Sequence, residues 1–100
     1  MKLVSITKSS RPDKKLMATF IHNGKYTTVH FGGQGYMDYT KYYKVNKVRA
    51  EEMKTSYLSR HKANENWNNV TSAGSLSRWI LWNKPTITAS TKDFKRRFNI

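Results

Sequence analysis

Six cations in the C-terminal part of this chain, Arg78, Lys84, Lys92, Lys95, Arg96 and Arg97, are the side chains best suited to meeting a partner. Clustered Lys and Arg displace counterions from phosphates, and such contacts do not depend on base sequence. Aromatic residues extend that chemistry. Tyr42, Tyr43, Trp67 and Trp82 are candidates to stack on unpaired bases, because every base has a π-face. Trp79 and Trp67 read as core residues in so small a domain, which leaves Trp82 as the tryptophan with the strongest claim on a partner.

Catalytic and metal chemistry find less support. Of the histidines His22, His30 and His61, none stands in the paired spacing of a metal site. His61 and Glu65 are four apart and would share a helical face. Asn64 and Asn66 are expected to end the helix before Glu65. No Ser, Lys or Asp is placed with a base as a nucleophile would be. The chain has no cysteine, which excludes disulfides and thiolate ligands. Gly32-Gly33-Gln34-Gly35 has neither the Gly-Lys-Ser/Thr ending of a P-loop nor a full dinucleotide fingerprint. It reads as an exit turn, although its backbone N–H groups could meet an anion. The expectation is therefore a protein that is not an enzyme, with no catalytic residues, no metal, no cofactor and no small-molecule substrate.

Elements must position these residues, and the first third reads as β. Asn23-Gly24 between Leu16–Ile21 and Tyr26–Phe31 is a type I′ hairpin signal. The two-residue loop sets the register: Phe20 opposite Thr27, Ala18 opposite Val29, Leu16 opposite Phe31, all on the core face. Met17, Thr19, Ile21, Tyr26, Thr28 and His30 take the other face. A lone hairpin is marginal, so Leu3 to Thr7 is expected as a third strand. Helical spacing follows from Tyr39 to Lys62, with Ala50, Met53, Tyr57, Leu58 and His61 as a stripe toward the sheet. A second helix runs from Ser72 or Ala73 to Trp82. Leu76, Trp79 and Ile80 lie on one face, and Ser75, Arg78 and Trp82 on the other. Asn83-Lys84-Pro85 ends it. A last helix runs from Thr88 or Ser90 to Phe98, with Ser90 and Asp93 as a capping box and Phe94 and Phe98 as its anchors.

One hundred residues suit a single domain spanning 1–100, and 13% aromatic content argues against disorder. Nineteen Lys and Arg against six Asp and Glu give a net charge of +13. Self-repulsion at that density favours an anionic partner. Nucleic acid comes first, and an acidic protein surface second. The N-terminus lacks the apolar stretch of a signal peptide, and no window approaches a membrane span. A soluble intracellular protein without membrane contact is expected.

Several stretches carry a resemblance: Asp38-Tyr39-Thr40, the His61…Glu65-Asn66-Trp67 spacing, Ser72 through Thr86, and Asp93-Phe94-Lys95-Arg96-Arg97-Phe98-Asn99. The chain resembles small basic proteins, functionally uncharacterised, of large and giant DNA viruses of algae and amoebae. Lys41 to Val48, with its tyrosine pair, departs from that pattern where a more charged segment is expected. The resemblance implies a viral protein located in the virion, and in the host cytoplasm or nucleus during infection. Its anionic partners there would be the packaged genome, DNA first, or the viral capsid proteins.

The expected fold is α+β: a small antiparallel sheet, made of an N-terminal strand and the Asn-Gly hairpin, followed by two or three helices packed on one face. The expected function is non-specific nucleic-acid binding through phosphates, using Arg78, Lys84, Lys92, Lys95, Arg96 and Arg97. The alternative is a minor capsid or cement protein against acidic faces of larger capsid subunits, and the third and weakest reading is a nuclease or other enzyme using His61 and Glu65. Nucleic-acid binding predicts a continuous positive face, a cement role predicts exposed apolar patches, and catalysis predicts a pocket joining His61 to a carboxylate.

Overall fold

Asn23 and Gly24 both take positive φ (50° and 76°), so the chain reverses in two residues between β2 (Lys14–His22) and β3 (Lys25–Gly33). This is the geometry that matches the twist of antiparallel strands. The computed structural model describes Met1–Ile100. β1 (Lys2–Lys8) adds to β2, giving a three-stranded antiparallel sheet in the order β1-β2-β3. The register is the expected one, with Phe20 opposite Thr27, Ala18 opposite Val29 and Leu16 opposite Phe31. Ala18, Phe20 and Phe31 are buried and form the sheet's share of the core. In β1, Leu3 opposes Phe20 and Ser5 opposes Thr19, which makes Val4 the extra residue of a bulge. The bulge brings Leu3 and Ile6, three apart, onto the same core face, whereas a regular strand would put them on opposite faces.

The single helix expected from Tyr39 to Lys62 is two helices. α1 (Tyr39–Val45) is capped by Asp38, whose carboxylate accepts from the Lys41 N–H. Asn46 then takes an extended backbone (φ −159°, ψ 112°), and its side chain accepts from the Arg49 N–H to start α2 (Lys47–His61). An N-cap side chain is worth about 1 kcal/mol, enough to set this break where the apolar spacing on both sides continues. The α2 stripe also differs in its target. Residues packed against β3 come from the segment after α2, and α2 itself packs on α1. Tyr57 of α2 reaches the core by stacking on Trp82, rings 4.4 Å apart and 5° from parallel.

α3 (Ala73–Leu76) starts at Ser72, whose hydroxyl accepts from the Ser75 N–H, and continues directly into a π-helical turn, Ser77–Leu81. The turn closes with the Trp82 N–H donating to the Ser77 carbonyl, five residues back (3.1 Å). Such a turn inserts one residue into the helical phase. Trp82, expected opposite Leu76 and Ile80, is therefore rotated inward and buried with them. Leu81 is buried too, and it approaches β3 because Gly32 has no side chain. A Cβ on Gly32 would lie 2.6 Å from Leu81 Cδ1, and Gly32 has φ 78°. Gly32→Ala should therefore cost about 2–4 kcal/mol, from the left-handed backbone and the overpacking together. Urea unfolding followed by circular dichroism measures this.

α4 (Ile87–Phe98) begins at Thr86, whose hydroxyl accepts from the Ala89 N–H. Ser90 and Asp93 are thus not its capping box. Both are buried and hold the preceding segment, since Ser90 Oγ accepts from the Lys84 N–H (2.9 Å) and Asp93 accepts from Asn83 (2.7 Å). α4 ends on Asn99 in the left-handed conformation (φ 55°), a usual C-terminal stop. The Ile100 carbonyl then accepts from the Leu3 N–H, which ties the last residue to β1. The architecture is α+β: a three-stranded antiparallel sheet followed by four helices. Only 18 of the 100 residues are buried, so stability on the order of 5–10 kcal/mol is the scale for the changes below.

Candidate functional site

On α4, Lys92, Lys95, Arg96 and Arg97 are exposed, and so is Lys84 just before the helix. Phe94 is buried and Phe98 half-buried, which fixes the helix face that turns inward. Lys84, Lys92 and Arg96 share the rim of a depression of about 290 Å³, with Asp93 in its lining. Asp93 takes Arg96 at 2.8 Å and Arg97 at 3.5 Å, as well as the Asn83 amide. Burial alone would raise its pKa. The bonds from Asn83 and Arg96 and the charges of Arg97 and Lys84 outweigh that, and the pKa is lowered below 3.8. The Asp93 carboxylate therefore stabilises the fold fully above pH 3.8, its unfolded value, and loses that contribution as pH falls toward and through the lower folded value.

Asp93→Ala should remove this acid-range dependence and cost about 1–3 kcal/mol at neutral pH, because the buried Asn83 amide loses its acceptor. Thermal melts from pH 2.5 to 7 (about five steps) would show the difference between the two curves shrinking toward acid.

Arg78 sits elsewhere than on an open surface. Its Nη1 donates to the Trp82 carbonyl (2.8 Å), its guanidinium lies 4.2 Å from the Trp79 ring, and its Nε is buried without a partner. Arg97 lies 4.1 Å from the same indole. Of the six cations expected to bind phosphate, five are exposed around α4. Arg78 is half-buried beneath them and adds field more than contact. Lys54 of α2 completes this basic region: its Nζ donates to the Asn83 carbonyl (2.8 Å) and lies 4.7 Å from the Tyr39 ring. Burial first, then the charges of Arg78 and Lys84, lower the Lys54 pKa.

The stacking candidates are largely occupied by each other. Trp82 is 8% exposed, with Tyr57 flat against it and Tyr42 tilted toward it at 6.4 Å. It does not offer an open face, contrary to its selection from sequence. Tyr43 leans on Tyr39 at 5.6 Å. Tyr42 and Tyr43 are half-buried, as are Trp67 and Trp79. Trp67 donates its indole N–H to Glu65 (3.1 Å), and its carbonyl accepts from Ser75 and from Trp79. This sequence of bonds holds the asparagine-rich loop against α3.

A second concavity, of about 540 Å³, opens between the end of the sheet and α2–α3. Tyr36, Tyr42, Met53 and Leu81 give it aromatic and apolar walls, and Lys14 and Arg60 contribute cations. His61 and Glu65 line it as a pair, Nδ1 to Oε1 3.4 Å apart. This is the concave arrangement that a catalytic use of the pair requires. The His61 ring is stacked on Tyr57 at 4.3 Å, and nowhere do three His, Cys, Asp or Glu residues converge as a metal would need. The glycine-rich segment borders the same cleft as an exit turn. Its Gln34 N–H donates to the Asp13 carbonyl and its Tyr36 N–H to the Gly33 carbonyl, so neither faces an anion. Sequence reasoning missed the ion pair at the cleft wall, where Lys15 Nζ meets Asp38 Oδ2 at 2.8 Å with side chains 9% and 3% exposed. Lys15 also donates to the Tyr36 carbonyl. Partners 23 residues apart, joined only by the return of the chain after β3, leave no local pattern.

No curated protein and no solved structure matches the chain. No helix is long and apolar enough to cross a membrane. Residues 4–61, from β1 through the end of α2, match the model of a family of unknown function, DUF5754. That stretch contains the sheet and both helices on one side of the cleft, and on it the chain belongs to the DUF5754 family.

Proposed function

We propose that the protein binds nucleic acid, DNA first, through phosphates and without sequence preference, with Lys84, Lys92, Lys95, Arg96 and Arg97 making the contacts. The observation that carries this is local charge balance. Asp93 is the only acid between Asn66 and Ile100, and it is buried beneath exposed cations. Across the chain, only Arg11, Lys15, Arg49, Arg96 and Arg97 of the nineteen Lys and Arg pair with a carboxylate. Resemblance to small basic proteins of large DNA viruses supports a setting in the particle, where a packaged genome supplies phosphates.

Fluorescence anisotropy of a labelled random duplex, read at several salt concentrations, tests the proposal. Five phosphate contacts predict a slope of log affinity on log salt of roughly −4 to −5. A second duplex of different sequence should give the same value. Binding that ignores salt, or differs tenfold between the sequences, would exclude it.

Exposed apolar residues favour one second reading, a minor capsid or cement protein. Val4 and Tyr26 lie on the sheet, and Val45 and Val48 flank the α1–α2 break. Co-sedimentation with acidic capsid subunits in nuclease-treated samples free of nucleic acid separates this reading from the first.

A further inference from the structure

We infer that the cleft between the sheet end and α2–α3 binds a single unpaired nucleotide, as a free mononucleotide or as one unit of a strand. The volume, about 540 Å³, falls within the range of small-ligand pockets, roughly 300–1,000 Å³. Its lining divides by chemistry. Tyr36 is 75% exposed at the mouth, and its ring lies over the bare Cα of Gly33: a Cβ there would sit 2.8 Å from Tyr36 Cδ2. Lys15 also donates to the Tyr36 carbonyl. An exposed tyrosine fixed at two points offers a base a flat surface at little ordering cost. Tyr42 and Met53 also line the cleft.

The rim carries charge that the fold does not consume. Lys15 is neutralised by Asp38, but Lys14 and Arg60 line the cleft without a carboxylate partner. These two are the candidates for the phosphate. At another wall, Glu65 Oε1 is taken by His61 and Trp67, whereas Oε2 has no protein donor and lies against Gly74. The wall thus presents a polar edge of the kind that meets the hydrogen-bonding edge of a base. An apolar ligand would leave these groups unpaired.

The site is separate from the α4 face, and the test keeps the two apart. Isothermal titration of the full chain with adenosine 5′-monophosphate, beside inorganic phosphate, reads the cleft. Anisotropy of a labelled single-stranded octadeoxycytidylate and of a duplex reads the strand and the α4 face. Adenosine monophosphate should saturate one site and bind at least about tenfold tighter than phosphate, as one stacked base implies. Tyr36→Ala and Arg60→Gln, both at exposed positions, should each weaken it about tenfold. Changing Lys92, Lys95, Arg96 and Arg97 to Gln should leave it unchanged. Loss of octadeoxycytidylate affinity in Tyr36→Ala identifies the source as a strand, and loss for the mononucleotide alone identifies a free nucleotide. Nucleotide binding no tighter than phosphate, or insensitive to Tyr36→Ala and Arg60→Gln, overturns the inference. Neither of those results alters the duplex salt slope, on which the α4 proposal rests.

Discussion

Changing Lys92, Lys95, Arg96 and Arg97 together to Gln is expected to weaken duplex binding about a thousandfold at about 0.1 M salt and to flatten the salt slope by about 3 to 4. Each phosphate neutralised releases close to one counterion, so four lost contacts act on the slope almost additively. Folding should survive at a cost of about 1 kcal/mol, because Lys92 and Lys95 have no ion pair, and Arg96 and Arg97 reach Asp93 from the solvent side with side chains 80% and 45% exposed. The Asn83 amide still satisfies Asp93 after the change. Net charge falls by four in this variant, and a matched control removes the same charge elsewhere: Lys2, Lys8, Lys25 and Lys44 to Gln, all exposed and unpaired. The control should lose less than about tenfold, through the long-range field alone. Equal losses in both variants would mean that total charge, rather than the α4 face, governs binding.

Lys15→Met is expected to cost about 3–5 kcal/mol, half or more of the stability of a domain this size. Removing the ammonium leaves the Asp38 carboxylate buried, and that carboxylate also serves as the α1 cap and accepts from Thr40. The segment from Tyr36 to Asp38 loses its tie to β2 at the same time. Adding Asp38→Asn should restore a large part of the loss, because an asparagine still caps α1 without a buried charge. Urea midpoints for the wild type, each single variant and the double variant give the coupling directly. A loss below about 1 kcal/mol in Lys15→Met would show that water, not Lys15, satisfies Asp38.

How far the sequence alone describes this molecule depends on the range of the interactions. Asn23-Gly24 encodes its own turn, and a two-residue loop leaves one register, so the pairing of β2 with β3 and their core face were readable from sequence, whereas the bulge at Val4 that sets the β1 register was not. Phe94 and Phe98, four apart among cations, marked the buried side of α4 in the same local way. The break at Asn46 was missed because apolar spacing runs through it, and only the capping preference of asparagine signals it. Thr86 is obscured as a cap for a different reason, since Ser90 and Asp93 imitate a capping box one turn later.

The tryptophans show the other limit. A regular helical period puts Trp82 with Ser75 and Arg78, and the π turn at Ser77–Leu81 moves it into the core. Nothing local distinguishes that turn from an α-helix, and one contact that accompanies it, Leu81 against Gly32, joins residues 49 apart in the chain. The cations proposed to contact phosphate were readable as a cluster in sequence. Arg78 was separated from the other five only by folding, which set its guanidinium against Trp79. The cleft draws on residues from Lys14 to Trp82, and no spacing rule assembles such a set.

Backbone amide shifts of the labelled protein, titrated with a short duplex, test the proposed phosphate contacts and their location most directly. The largest changes are predicted from Lys84 through Phe98, with the outer sheet face at Met17, Tyr26 and His30 unmoved. Shifts centred on that sheet face, with α4 unaffected, would contradict the proposal.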